Sequence, residues 1–302
     1  MTKIIDSSIM WKNHTAYDKM QAVYDKILSQ LTVTYETQYV DTRHGQTYVI
    51  IAGESHNPPL IFWHGMSASS TMWINEINAF AEDYYVISAD VPGDSGRSVP
   101  KRMNRKSQQY GEWASDVMVA LGIQESLHIG LSGGGWTILK LATFAPHKII
   151  AALLMSSGGF IPVNIMLVIR LLPHFIMSPF ISTRQFAKRF LKIMTPPNIP
   201  ITEDAITMFE LIGNFKAENG VPPLSDDELA MLTAPTVLLM GEYEVPFSPL
   251  NKVIERAKRC LPNLVDVEIL KGVGHGMNGE NPELVHSKIR IFLDQYEGFL
   301  DE

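Results

Sequence analysis

Three short glycine-bearing stretches hold the residues whose types and spacing could do chemistry. The first, Gly130-Leu131-Ser132-Gly133-Gly134, sets a serine between glycines two residues to either side, after an apolar run from Ser126 and before a helical run over 136–145. A serine at such a strand-to-helix turn takes a strained backbone, its small neighbours let strand and helix pass close together, and its Oγ is exposed at the tip. The helix behind it aims unpaired N–H groups and its positive dipole end at whatever reacts there. The second stretch, Gly241-Glu242-Tyr243-Glu244-Val245-Pro246, carries two carboxylates, and the third, Gly272-Val273-Gly274-His275-Gly276, a histidine whose glycine neighbours permit a sharp turn. A nucleophilic serine needs a base, an acid to orient that base, and donors for the developing oxyanion. Gly-x-Ser-x-Gly alone arises often by chance; an acid and a histidine downstream give it the partners it requires.

Those residues must be brought together by the elements around them. Residues 15–29 show an i, i+3, i+4 apolar stripe (Tyr17, Met20, Val23, Tyr24, Ile27) that predicts an amphipathic helix. Residues 31–40 and 46–52 alternate around Arg43-His44-Gly45 and predict a hairpin. Leu60–Trp63 is continuously apolar, as a strand buried on both faces is, and a helix is expected over 71–82. Further strands are expected at 84–89, from Ser126 into the serine turn, and at 148–155, with a helix over 110–121. Strand, helix, strand, helix follow at 235–240, 248–259, 264–270 and 283–299. Alternating buried strands and helices predict an α/β fold with a mostly parallel central sheet covered by helices on both faces. The acid, the histidine and Ser132 then all follow strand ends on one edge of that sheet.

Residues 160–232 break the alternation. They show helical patterns and loops punctuated by Pro162, Pro173, Pro179, Pro196 and Pro197, and Gly220-Val221-Pro222-Pro223 reads as a return loop. We expect a core made of 1–159, N-terminal helix and hairpin included, and 233–302, with 160–232 as a helical cap over the carboxyl ends of the strands, where open α/β sheets bind ligands. Met166, Phe175, Met177, Phe180 and Phe186 would then form either an acyl pocket or the cap's own core.

With the order Ser132, Glu244, His275, the chain resembles the α/β-hydrolase superfamily from about Thr47 to the C-terminus. The resemblance rests on His64-Gly65-Met66, Gly130-x-Ser132-x-Gly134-Gly135, Gly241-x-x-Glu244 and Gly274-His275-Gly276, and residues 11–80, with the block Trp63–Ser70, are similar to capped bacterial serine carboxylesterases. It implies hydrolysis of small to medium carboxylic esters through an acyl-enzyme, with no metal or organic cofactor. Ser132 matches the nucleophile, His275 the general base, and Glu244 the acid that orients it. Aspartate is commoner at that last position, and Glu242 is the competing acid. The backbone N–H groups of Met66 and Gly133 match the oxyanion hole. Asp-nucleophile relatives carry an acid at the elbow itself, so Asp90 is expected only to form a turn. A carbon–carbon, lactone or amide hydrolase is the alternative chemistry, and a non-catalytic ligand-binding protein of the same fold the alternative class.

Composition narrows the partners. The chain has 302 residues, is 46% hydrophobic and carries a net charge of −7 with no long basic run, so nucleic acid is not an expected partner. A small-molecule ester, with an apolar acyl group given the apolar cap segment, is. The single cysteine, Cys260, rules out an internal disulfide and reads as a buried helix-end residue; with no leader-like N-terminus, the expected setting is cytoplasmic. Residues 149–169 are uncharged but broken by Ser156-Ser157-Gly158-Gly159, Pro162 and Asn164, so they are expected to form core rather than a membrane span. No two histidines have metal-ligand spacing beside a carboxylate. His64 and His128 read as satisfied structural residues, His14, His44, His56, His147 and His286 as exposed, and His174 as packing within the cap.

Overall fold

The computed structural model describes residues 7–177, 181–216 and 220–296, the side chains of 174–177 excepted. Its centre is a sheet of eight strands: β1 (Tyr35–Thr42), β2 (Gly45–Ala52), β3 (Pro59–Trp63), β4 (Tyr85–Ala89), β5 (Ser126–Leu131), β6 (Ile149–Met155), β7 (Thr236–Gly241) and β8 (Leu264–Leu270). The spatial order is β1-β2-β4-β3-β5-β6-β7-β8. Strands β1 and β2 form the hairpin and pair antiparallel, as do β2 and β4, while β4 through β8 run parallel. Every residue of β5 and β7 is buried, which is why these segments read as unbroken apolar runs and not as alternating ones. The turns after β3, β5, β7 and β8 therefore leave from one edge of the sheet.

Helices α1 (His14–Leu28), α2 (Ile74–Phe80), α3 (Gln109–Ala120), α4 (Gly133–Phe144), α9 (Leu250–Cys260), α10 (Met277–Glu280) and α11 (Pro282–Asp294) flank the sheet. Two buried apolar clusters, one on each face, hold the layers together. Trp63 at the end of β3 stands edge-on to Trp113 of α3, with ring centroids 5.3 Å apart. Its Nε1 donates to His128 Nδ1 at 3.0 Å, and Trp113 Nε1 donates to Thr47 Oγ1 at 2.8 Å, so both buried indoles are satisfied. Helix α4 lies so close to β3 that a Cβ on Gly134 would sit 1.8 Å from the Trp63 carbonyl oxygen. Any larger residue there would push the helix, and the serine at its head, off the sheet.

Several element ends differ from expectation for local reasons. Strand β1 starts at Tyr35, because Leu31 N–H closes onto Leu28 O and Thr32 N–H donates to Asn78 Oδ1, which uses these residues as the turn leaving α1. The helix expected over 71–82 opens as a tight 3₁₀ turn, Ser70–Trp73, before α2. The last helix starts at Pro282, capped by the Asn281 side chain, and ends at Asp294, short of the expected Phe299: Gln295 and Tyr296 form a turn, and residues 297–299 lie outside the described residues.

Between β6 and β7 the described residues contain helices and loops but no strand: α5 (Ile165–Met177), α6 (Thr183–Met194), α7 (Glu203–Ile212) and α8 (Asp226–Ala230). Capping boxes at Ser182/Gln185 and Ser225/Glu228 start α6 and α8. Helix α1 reaches two layers. Tyr24 and Leu28 pack into the sheet-facing cluster, whereas Ala16 and Met20 join Met10, Trp11, Leu211 and Phe215 in a separate cluster against α7. Backbone bonds Lys12 N–H to Asn214 O and Lys216 N–H to Met10 O, both 2.8 Å, knit the N-terminal segment to the end of α7. Among the described residues no helix is long and apolar enough to cross a membrane.

Candidate active site

Ser132 sits between β5 and α4 with φ 56° and ψ −111°, a conformation that costs a non-glycine residue roughly 1–3 kcal/mol and persists only where the surroundings impose it. Here they do. Ser132 N–H donates to Met155 O at 2.9 Å, and Ser132 O accepts from Gly158 N–H at 3.0 Å and Trp136 N–H at 3.2 Å. The turn is thus tied to the end of β6 and to the first turn of α4.

Glu244 and His275 follow β7 and β8. Glu244 is buried, and both of its carboxylate oxygens face His275 Nδ1, at 3.0 and 2.9 Å. One of them also accepts the Phe247 N–H at 3.0 Å. Burial pushes this carboxyl upward, but the histidine's charge and hydrogen bond together with the Phe247 N–H hold it below the usual glutamate range. The Ser156 hydroxyl faces the same carboxylate but stands outside hydrogen-bonding geometry. An ionised carboxylate only accepts, so Nδ1 of His275 carries the proton and Nε2 keeps a free lone pair. Burial works to lower the His275 pKa; the Glu244 charge and hydrogen bond, with Glu280 adding to them, raise it overall. A raised pKa makes the ring a stronger base. Glu242 is exposed and accepts the Gly272 N–H at 2.9 Å, far from this pairing in role. Among the described residues no hydrogen bond joins Ser132 Oγ to the His275 ring. Such contacts commonly tighten only with substrate bound.

Met66 and Gly133 are neighbours across the site. A Cβ on Gly133 would lie 3.0 Å from Met66 N and 2.8 Å from its Cγ, so the two backbones touch with no room between them. Neither N–H has an acceptor among the described residues, which leaves two donors side by side next to Ser132. The loop that carries Met66 is held from beneath by the turn after β4. Ser67, at φ 58°, donates its N–H to Asp94 Oδ1 at 2.9 Å; Ser95 Oγ donates to Ser67 O and Ala68 O at 3.0 and 2.9 Å. Asp90 accepts from Ser70 N–H, Ser70 Oγ, Tyr24 Oη and Arg97 N–H. Asp90 is therefore more than the turn former read from the sequence: it ties α1, the Met66 loop and its own turn together. The roles of Asp94 and Ser95 escape sequence reasoning, since no spacing rule connects a post-β4 turn to a post-β3 loop.

His64 and His128 are satisfied, as expected. His64 Nε2 accepts Val91 N–H at 2.9 Å and Nδ1 faces Gly65 O at 2.7 Å. His128 is fully buried and its pKa is lowered to about 4 by that burial, so it is neutral. Two histidines expected to be exposed are not. His44 pairs with Glu112 at 2.9 Å and His286 lies 3.5 Å from buried Glu76, because each closes a gap between a loop or helix and a neighbouring carboxylate. The His174 side chain lies outside the described residues, and no group of three or more His, Cys, Asp or Glu among those described could hold a metal ion. Cys260 is buried at the end of α9.

A cavity of about 800 Å³ adjoins the donor side of the site. Met66 and Met72 line one end, Val23 and Ile27 of α1 one wall, and Phe186 of α6 and Phe209 of α7 another. Ser132 and His275 are not among its lining residues; it reaches the site through Met66. Of the apolar residues expected to form a pocket or a cap core, Phe186 lines this cavity, but Met166 points to solvent on α5, 52% exposed. The side chains of Phe175 and Met177, and all of Phe180, lie outside the described residues.

A parallel sheet whose strand ends deliver a strained serine, an acid and a histidine defines the class. The family model for alpha/beta hydrolases matches residues 60–287, and the chain belongs to that family. Carboxylesterase YbfK of Bacillus subtilis is 29% identical over 281 residues, 89% of this chain and 92% of that protein. Its crystal structure superposes with a TM-score of 0.78 at 26% identity, covering 92% of this chain and 98% of that one. The crystal structure of naproxen esterase from Bacillus subtilis gives a TM-score of 0.76 at 26% identity, over 96% and 99%.

Proposed function

We propose that this protein is a serine carboxylesterase that cleaves small to medium carboxylic esters through an acyl-enzyme. The observation that carries the reading is the pairing of both Glu244 oxygens with His275 Nδ1 at the sheet edge that also bears the strained Ser132. In the first half-reaction His275 Nε2 takes the Ser132 Oγ proton as Oγ bonds to the ester carbon, and the carbonyl oxygen becomes an oxyanion facing the Met66 and Gly133 amides. Collapse expels the alkoxide, which takes the proton back from Nε2 and departs as alcohol. Water then repeats the sequence against the acyl-serine and releases the acid. Glu244 stays ionised throughout, holding the tautomer and balancing the imidazolium. The similarity to two carboxylesterases over most of both chains supports the same activity.

The cavity beside Met66, walled by Val23, Ile27, Phe186 and Phe209, is read as the place for an apolar acyl group, with residues 160–232 as a cap over it. A reducing, cytoplasmic setting fits the buried lone Cys260. Turnover of p-nitrophenyl esters from acetate to octanoate tests the reading. Hydrolysis with saturation and a chain-length optimum is expected. No turnover of any member, with hydrolysis of a lactone or amide instead, would favour the alternative bond.

A further inference from the structure

Helix α5 leaves its apolar face in water. Among its described side chains Leu167 and Leu171, one turn apart, are buried, whereas Ile165, Met166, Val168, Ile169 and Leu172 are between 47% and 65% exposed. On a period of 3.6 residues these five fall in one unbroken arc opposite the buried pair. Single exposed apolar side chains are ordinary on a soluble protein; a contiguous arc on one helix is a contact surface.

The charge around this arc says what it contacts. From Ser126 to Thr202 the sequence holds no acidic residue, in a chain whose net charge is −7. Within that stretch Lys188 and Lys192 are exposed on α6. Arg184 does not add to the charge, since Glu203 and Glu210 pair with it. We propose that the α5–α6 face seats the protein on an anionic bilayer surface, with the α5 arc immersed at headgroup depth and the α6 cations against the phosphates. The face would lie on the membrane, not across it. A second copy of the chain is the poorer occupant: a two-fold contact places each basic helix against its own image, and the repulsion opposes burial of the arc. The inference is independent of the esterase reading, because binding can be measured without turnover. It does bear on that reading, because Phe186, on the same α6, lines the cavity beside Met66.

Co-sedimentation of the full chain with vesicles tests the proposal. Phosphatidylcholine vesicles with about 30% phosphatidylglycerol should retain the protein, pure phosphatidylcholine should retain at least tenfold less, and added salt should release it. Ile169→Asp with Leu172→Asp should abolish retention. Lys188→Gln with Lys192→Gln should weaken it about 25-fold, taking each cation near the surface as worth about fivefold. All four positions are exposed, so thermal unfolding should not change, and the lysine pair gives a second test if the aspartates disturb the helix. A wild-type protein that stays in the supernatant with anionic vesicles overturns the proposal, as does equal retention on both lipids. Self-association that Ile169→Asp with Leu172→Asp dissolves, without vesicle binding, overturns it in favour of a protein contact.

Discussion

Replacing Asp94 with alanine should slow catalysis without loosening substrate binding. The Ser67 N–H, on the far side of the Met66–Ser67 linkage from the Met66 donor, is held by Asp94 Oδ1 at 2.9 Å in a backbone conformation (φ 58°) that serine does not favour unaided. A hydrogen bond to a charged acceptor contributes about 1.5–3 kcal/mol, and full loss of one oxyanion donor costs about 3 kcal/mol. Because the Ser95 bonds to Ser67 O and Ala68 O remain, the loss should fall at the lower end, a drop in kcat of about 10-fold to 100-fold with KM within about twofold. Asp94→Asn keeps an acceptor oxygen and should recover most of that loss. The pH profile adds a sign. Burial raises the Asp94 pKa to about 6, against the Ser67 N–H, Arg105 and Arg102, which all favour the charged form. As pH falls through 6 the carboxylate takes up a proton and the Ser67 N–H loses its charged acceptor, so part of the acidic fall in kcat should be absent from Asp94→Asn. Steady-state kinetics on p-nitrophenyl butyrate from about pH 5 to 8 reads all three. A kcat for Asp94→Ala within twofold of wild type, or a change confined to KM, would refute the reasoning.

Other expectations follow from the same geometry. Glu244→Gln should lower kcat by several orders of magnitude, as amides do at the orienting position of such triads, whereas Glu242→Gln should change it less than threefold; kinetics of the two variants side by side decide which acid serves His275. His128 folds neutral with a pKa near 4 while the unfolded chain titrates near 6.5, so its contribution to stability is intact above about pH 6.5 and is lost as pH falls towards 4. The wild-type advantage over His128→Asn in urea unfolding should therefore shrink by about 2–3 kcal/mol between pH 7 and pH 4.5. Val23→Trp, which fills the cavity from α1, should cut the ratio of octanoate to acetate turnover at least tenfold; an unchanged ratio would mean the acyl group lies elsewhere.

Ser132, Glu244 and His275 are legible in the sequence for a physical reason. Ser132 and Glu244 follow strands buried on both faces, His275 follows the more exposed outer strand β8, and parallel strands of one sheet must release their chains on one edge, so position along the chain predicts proximity in space. Glu244 could not be separated from Glu242 by spacing; the structure distinguishes them by burial, one enclosed against His275 and the other in solvent on the Gly272 amide. What sequence does not convey is contact between elements that no periodicity links. The clamp from Asp94 and Ser95 onto the Met66 loop is of this kind, as are the carboxylates found by His44 and His286. So is the seam by which Trp11 and Lys12 join the N-terminal helix to Phe215 and Asn214. That seam makes α1 a wall of the cavity, whereas its stripe alone reads only as an amphipathic helix. The apolar residues of α5 mislead in the opposite direction. Their hydrophobicity reads as core or pocket, yet among the described side chains of the helix only Leu167 and Leu171 turn inward.

The proposed mechanism stands on Ser132 as the nucleophile that carries the acyl group. Intact-mass and peptide analysis after treatment with a fluorophosphonate tests it directly. One adduct is expected, on the peptide bearing Ser132, lost together with all ester turnover in a folded Ser132→Ala variant. An adduct on another serine, or turnover that survives Ser132→Ala, would contradict it.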